Sequence, residues 1–331
     1  MNFWREPDFG WRLLCFLACI PSGGALLAKV FGIAPLQAVT LYLFLPCALF
    51  LVGMWWWASR TGRDYLAGAL TIGFWGGLLG TLAYDLARIP FLLAGQRVFA
   101  PINVYGVWLA EAAISSQWTH ALGWAYHFSN GITFGIMYAL FMRRRHWLWA
   151  IPWALLLETI AVLSPFAVIF NLVGNYNALA IAYLGHVAYA LPLGWLVYRW
   201  DDTLAWLAAR PGWLRRGWPV VGLLLFLLVA LWPPGTAFDS RAQPGSLRVE
   251  DNRLNPGWVR INVNDNITFT NPAGTPATII DRTRDYSLPL AAGQQESSQY
   301  TRPGIYQVYV QTTGQTRSSF VIVEPVEKIA R

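Results

Sequence analysis

Apolar positions run in long blocks through the first two thirds of the chain and then give way to strict alternation. The blocks read at roughly 12–33, 36–58, 65–95, 121–142, 147–170, 178–199 and 217–233, each near the ~20 residues that cross ~30 Å of hydrocarbon. They predict seven membrane helices. A cleaved signal is the other reading of the first block. Its length, its internal Pro21-Ser22-Gly23-Gly24 and the block that follows at once favour a retained helix. Gly73, Gly76, Gly77 and Gly80 in the third span contain a GxxxG spacing, which lets helix backbones approach closely in lipid. The mixed stretch 96–120, with Trp108, Glu111 and Trp118, reads as an interfacial amphipathic helix or a re-entrant one.

Beyond residue 245 the period drops to two. Leu247-Arg248-Val249-Glu250, Val259-Arg260-Ile261-Asn262-Val263, Ile267-Thr268-Phe269-Thr270, Tyr306-Gln307-Val308-Tyr309-Val310 and Phe320-Val321-Ile322-Val323 alternate between Asn-, Pro- and Gly-rich breaks. That pattern predicts a small antiparallel sandwich. The chain therefore divides into a transmembrane helical domain at 1–235, a linker at 236–245 and an all-β domain at 246–331. Asn266-Ile267-Thr268 matches a glycosylation sequon but reads as strand sequence.

Composition supports the membrane class. Of 331 residues 56% are hydrophobic and 12% charged, about half the ~25% of soluble proteins. Many of the 19 Trp, including Trp55-Trp56-Trp57, Trp147, Trp149, Trp213 and Trp218, stand at span ends, where aromatic side chains anchor at the interface. The net charge of +7 is uneven: residues 1–235 carry 14 Lys and Arg against 8 Asp and Glu, and the remainder 10 against 9. Positive charge thus belongs to membrane loops, and no nucleic acid is implied. Arg60 and Arg63, Arg143, Arg144 and Arg145, and Arg199, Arg210, Arg215 and Arg216 follow the even-numbered spans. By the positive-inside rule those loops and the N-terminus are cytoplasmic, and the C-terminal domain is periplasmic or extracellular. Lys29 and Lys328 are the only lysines; this arginine bias and the lack of targeting signals point to a prokaryotic plasma (inner) membrane. Cys15, Cys19 and Cys47 lie in apolar spans, so no disulfide framework is expected. A two-cysteine site at Cys15 and Cys19 has less support than ordinary packing.

The C-terminal stretch, about 246–324, resembles the cupredoxin family. Val249-Glu250-Asp251-Asn252-Arg253-Leu254-Asn255-Pro256 and Val263-Asn264-Asp265-Asn266-Ile267-Thr268-Phe269-Thr270-Asn271 are similar to its opening strands. Arg302-Pro303-Gly304-Ile305-Tyr306 and the final strand are similar to its closing ones. The resemblance implies a sandwich. The family's copper ligands are histidines, a cysteine and usually a methionine, but the matching places read Ala277, Val310 and Thr313, and no His or Cys follows His186. Type 1 copper needs a thiolate and imidazoles, so none is expected here. The expected role of the domain is a docking surface for other membrane or extracytoplasmic proteins, or a lid over a membrane site.

Inside the spans the ionisable groups are Asp85 and Arg88 on span 3, His127 on span 4, Glu158 on span 5 and His186 on span 6. Buried ionisable groups in a membrane are functional candidates. With ~1.5 Å rise per residue, all fall in the outer half or near mid-depth. Spans 3–4 and 5–6 also read as an internal parallel repeat: His127 and His186 each precede a glycine by eight residues, Gly135 and Gly194, and Asp85 and Glu158 each precede a proline. The acids sit five and seven residues before those prolines, which leaves open whether they face one centre.

Three uses remain open for Asp85, His127, Glu158 and His186. They are a ligand set for a metal ion, or for haem through the two histidines; a proton or solute path; or structural bonding. In the structural case Asp85 pairs with its i,i+3 neighbour Arg88, and the others bond to Tyr84, Tyr126, Ser129, Asn130 and Tyr183. His120 and Glu111 could complete an outer site, though a surface role is favoured, and His146 is expected at the cytoplasmic interface. No phosphate loop, dinucleotide fingerprint, GxSxG or HExxH occurs. Whether the chain is an enzyme stays open. The leading functional expectation is an accessory membrane protein presenting a copper-free outer domain to an electron-transfer or metal-handling assembly. A membrane metalloprotein and a proton-coupled transporter are the alternatives.

Overall fold

The computed structural model describes residues 8–94, 98–112, 117–170, 172, 175–209, 245–250, 253–255, 258–281, 284–302, 304–312 and 316–324. The chain divides into two compact units. One comprises residues 1–89, 124–164 and 179–229, and the other residues 90–123, 165–178 and 230–331. The expected span 217–233 lies outside the described residues.

The first unit is helical. Its elements are α1 (Phe9–Val30), α2 (Leu36–Val39), α3 (Leu45–Arg60), most of α4 (Asp64–Leu93), most of α6 (Gln117–Phe141), α7 (Ala150–Val162), most of α9 (Tyr176–Tyr198) and α10 (Trp200–Ala208). α2 and α3 form one helix, Leu36–Arg60, through a π-helical turn at Thr40–Phe44. Pro46 follows that turn. It has no N–H to continue the ladder, and a widened turn absorbs such a break. Among the described residues four helices are long and apolar enough to cross a membrane: Phe9–Val30, Leu36–Arg60, Asp64–Leu93 and Tyr176–Tyr198. α7 with its 3-10 entry, Trp147–Val162, is shorter.

α4 is the packing axis of this unit, and its glycines show why. A Cβ on Gly73 would stand 2.5 Å from Ile136 Cα, and one on Gly77 would strike the Gly131 carbonyl oxygen. From α6, a Cβ on Gly135 would stand 2.6 Å from Gly77 Cα. Two GxxxG faces, Gly73/Gly77 and Gly131/Gly135, therefore meet backbone to backbone. One residue round α4, Gly76 and Gly80 receive Leu193 and Tyr189 of α9. The Tyr189 hydroxyl then donates to Gly131 O at 2.7 Å, tying α9 to α6. Trp55 Nε1 donates to Thr71 Oγ1 at 3.0 Å between α3 and α4. Arg12, buried on α1, donates to the C-terminal carbonyl of Leu140 at 2.8 Å, where a cation complements the helix dipole.

Among the described residues the second unit contains α5 (Ala100–Ala110), the helical turn α8 (Phe166–Ile169) and nine strands. Eleven residues are too few to cross a bilayer. Instead of one apolar face, α5 buries Ile102, Val104, Val107 and Trp108 around its circumference. It packs against the first turns of α6, where Gly106 meets Thr119 and Gly123 meets Ile102. The strands are β1 (Ser246–Glu250), β2 (Arg253–Asn255), β3 (Trp258–Asn262), β4 (Asn266–Thr270), β5 (Ala277–Asp281), β6 (Tyr286–Leu290), β7 (Gln295–Gln299), β8 (Gly304–Gln311) and β9 (Thr316–Glu324). They form two sheets, β2-β1-β4-β7 and β3-β9-β8-β5-β6.

The sheets are mixed, not purely antiparallel as the alternation suggested. β1 runs parallel to β4, with Leu247 beside Phe269, and β3 parallel to β9, with Ile261 beside Val323. Alternation sets which face a side chain occupies but not the direction of the partner strand. The inward residues Leu247, Phe269, Ile279, Val308, Val310 and Val321 make a closed core. Asn271 pins its loop by donating to Thr275 O, Leu290 O and Ala291 O. The Tyr306 hydroxyl donates to Arg302 O at 2.8 Å, the short-range bond of a tyrosine corner.

Candidate functional site

α4, α6, α7 and α9 bring the candidate groups of the helical unit together in two pairs. Asp85 and Arg88 lie one turn apart on α4, with Tyr84 beside them. His127 stands on α6 and presents Nε2 to both Asp85 oxygens, at 3.0 and 3.2 Å. A carboxylate accepts, so Nε2–H is the donor. His186 on α9 places Nδ1 3.0 Å from its own-helix carbonyl at Ala182 and 3.3 Å from Glu158 Oε2 on α7. A carbonyl can only accept, so the proton of the neutral ring sits on Nδ1 and Nε2 is the basic nitrogen. The two histidines thus use opposite ring nitrogens. Asp85, Glu158 and Arg88 are all buried.

One side chain links the pairs. The Tyr84 ring lies 5.6 Å from the His127 ring and 5.0 Å from the His186 ring, edge-on to the latter. The Arg88 guanidinium covers Tyr84 at 4.6 Å. Gly185 makes room for both: a Cβ there would stand 2.7 Å from the Tyr84 ring and 3.3 Å from Arg88 Cδ. Trp124 closes on His127 with ring centroids 5.6 Å apart, and the Tyr183 hydroxyl meets Thr159 Oγ1 at 3.1 Å between α9 and α7. Tyr84 was visible in the sequence only as a bonding partner. Its place between two imidazoles, and the need for glycine at 185, depend on helix rotation, which a single chain pattern does not encode.

Asp85 therefore meets the histidine of α6, and Glu158 that of α9. Asp85 pairs with His127 across the bundle, in addition to lying one turn from Arg88. Among the described residues no group of three or more His, Cys, Asp or Glu converges in the manner of a metal site. His120 is not a surface residue: it is buried on α6, and Nδ1 faces Asn103 Oδ1 of α5 at 3.0 Å. Glu111 is exposed and ends α5 with a left-handed φ of 47°. His146 is exposed, with its ring between Trp147 and Tyr198.

In the β unit, two of the positions that the resemblance set against copper ligands are core side chains. Ala277 on β5 and Val310 on β8 are buried and lack any donor atom; Thr313 lies outside the described residues. Copper does not fit this donor set. The buried carboxylate of the sheets is held by an arginine: Arg284 Nε donates to Asp281 at 2.7 Å, and its guanidinium stacks 3.7 Å over Tyr300. Burial, with Asp281 nearby, pushes the Tyr300 phenol above its ordinary range.

No family model matches the sequence, and no curated protein matches it. Among solved structures, part of the chain is similar to a purple cupredoxin from Nitrosopumilus maritimus, at 20% identity and a TM-score of 0.21, covering 24% of this chain and 99% of that one. A reduced amicyanin variant gives 18% identity and a TM-score of 0.23, covering 28% of this chain and 91% of its own. A copper-containing nitrite reductase from Thermus scotoductus gives 17% identity and a TM-score of 0.21, covering 27% of this chain and 24% of that one.

Proposed function

We propose that this chain is a multi-pass membrane protein that moves protons through its two His–carboxylate pairs, either alone or coupled to a solute. The observation that carries this reading is the pairing itself: Asp85 with His127 and Glu158 with His186, each across two helices inside an apolar bundle. An imidazole exchanges protons near neutral pH and holds two distinct nitrogens for arrival and departure. Carboxylates set against histidines within membrane helices are the usual elements of a proton relay. Tyr84 supplies a hydroxyl-bearing ring between the two pairs, and Arg88 a fixed charge that keeps two buried acids from repelling one another.

The proposal extends to the whole chain: seven spans, the N-terminus in the cytoplasm of a plasma membrane, and a copper-free cupredoxin-like domain at 246–331 outside it, joined through 236–245 and offering a docking surface. The run of arginines after even-numbered spans supports the sidedness. The absence of His and Cys beyond His186 supports a binding role for the domain over a redox one.

Vesicles carrying the purified protein and an internal pH dye test the relay. A potassium diffusion potential should drive proton entry through the wild type. His127→Ala and Glu158→Gln should each reduce entry to the level of protein-free vesicles. Equal flux in wild type and variants would eliminate the reading. Elemental analysis and an absorption spectrum of the same preparation separate it from a metalloprotein, for which about one metal or haem per chain is expected.

A further inference from the structure

Among the described residues, Arg143, Arg144 and Arg145 follow α6, and Arg199 lies between α9 and α10. Two carboxylates on α10 answer them. Asp201 is bonded to Arg144 and lies 3.6 Å from Arg143. These guanidiniums, Arg144 first, hold its carboxyl below the usual range, so it stays charged. Asp202 accepts from Arg199 Nε at 2.6 Å. Arg145 is exposed and has no carboxylate partner among the described residues.

Beside it, His146 is also exposed and held in a fixed orientation. Its ring centroid is 5.9 Å from that of Trp147 and 5.7 Å from that of Tyr198. Nδ1 accepts the Leu148 N–H at 3.4 Å. A nitrogen that accepts carries no proton, so Nε2–H is the donor left for a ligand. Trp149 and Trp195, exposed by 58% and 51%, flank this end. Such aromatic side chains settle at headgroup depth. The same surface therefore combines excess positive charge, two outward donors on adjacent residues and the side chains that mark the lipid interface.

We propose that Arg145 and His146 bind the phosphate of an anionic phospholipid. Charge complementarity selects the occupant: Arg144 and Arg199 are bonded to carboxylates and Arg143 lies 3.6 Å from one, while Arg145 is exposed with no carboxylate partner among the described residues, next to tryptophans of the kind that settle at headgroup depth. A guanidinium presents parallel N–H donors that match two phosphate oxygens, and His146 Nε2–H supplies a further donor. Arg144 and Arg199 donate to Asp201 and Asp202, and Arg143 stacks on the Tyr65 and Trp200 rings, which leaves Arg145 as the exposed guanidinium of the triplet with no carboxylate against it.

The test uses the full chain in nanodiscs of equal phosphatidylglycerol and phosphatidylcholine, followed by mild detergent extraction and a count of retained lipids by native mass spectrometry. Phosphatidylglycerol should be enriched over the input ratio, and the enrichment should fall at high salt because exposed charges are screened. Arg145→Gln should weaken retention roughly fivefold, the equivalent of one surface arginine, and His146→Gln should weaken it less. Arg145→Lys, which keeps the charge but loses the paired donors and controls for folding, should fall between wild type and Arg145→Gln. Retention at the input ratio in the wild type, enrichment indifferent to salt, or an Arg145→Gln protein that elutes as wild type and retains as much phosphatidylglycerol would each overturn the proposal.

Discussion

Between His127 and His186 stands the ring of Tyr84, and Gly185 is the residue that allows it there. The site is built by what is absent at 185 as much as by the ionisable groups. Any side chain at 185 would push into Tyr84 or Arg88 and displace both pairs together. In the β unit, Tyr300 offers a second residue-level consequence. Its phenol is raised by burial, and the nearby Asp281 carboxylate adds to the shift. The folded form then holds its proton to higher pH than the unfolded form does. The resulting stability is complete below the unfolded tyrosine value of about 10 and is lost as pH rises beyond it. Chemical denaturation monitored at increasing alkaline pH should show the β unit weakening above about pH 10. Tyr300→Phe should remove most of that dependence while leaving neutral-pH stability close to wild type.

At the scale of elements, α4 shows how spacing becomes packing. Its GxxxG faces were legible in the chain because glycine is the residue that permits backbone contact in lipid, where no hydrophobic force draws helices together. Which glycine faces which helix was not legible. Gly73 and Gly77 meet α6, while Gly76 and Gly80 meet α9. Gly53 on α3 has nothing within 4 Å of the position its Cβ would take. The two classes should separate on substitution. Gly77→Ala should destabilise the helical unit by about 1–3 kcal/mol, as overpacking does. Gly53→Ala should be neutral or stabilising by up to about 1 kcal/mol, because alanine is the better helix former. Unfolding of the two variants in detergent, side by side, reads this difference; equal behaviour would mean that α4 and α6 do not meet through these glycines.

Over the whole molecule, the proposed sidedness has a direct check. Single cysteines placed in a Cys15→Ala, Cys19→Ala, Cys47→Ala background should be labelled by an impermeant thiol reagent from outside at Ser297 but not at Arg145, and the reverse result would invert the topology. The helical and β regions themselves were legible from the chain, because burial in lipid demands long apolar blocks and burial of one sheet face demands alternation. The pairing of residues within them was not. Asp85 and Arg88 lie one turn apart on one helix, which sequence spacing shows directly. The fold sets Asp85 against His127, 42 positions away, because the glycine contacts bring α6 close to α4. Period two announced the strands but not the parallel couplings of β1 with β4 and β3 with β9. By itself, then, the sequence determined that long apolar helices precede an alternating β region, and named the candidate polar residues, since these depend on local periodicity and on the solvent each stretch can tolerate. Only the tertiary structure decided which acid meets which imidazole, what stands between them and which strands run together, because those follow from helix rotation and crossover paths that no local pattern records.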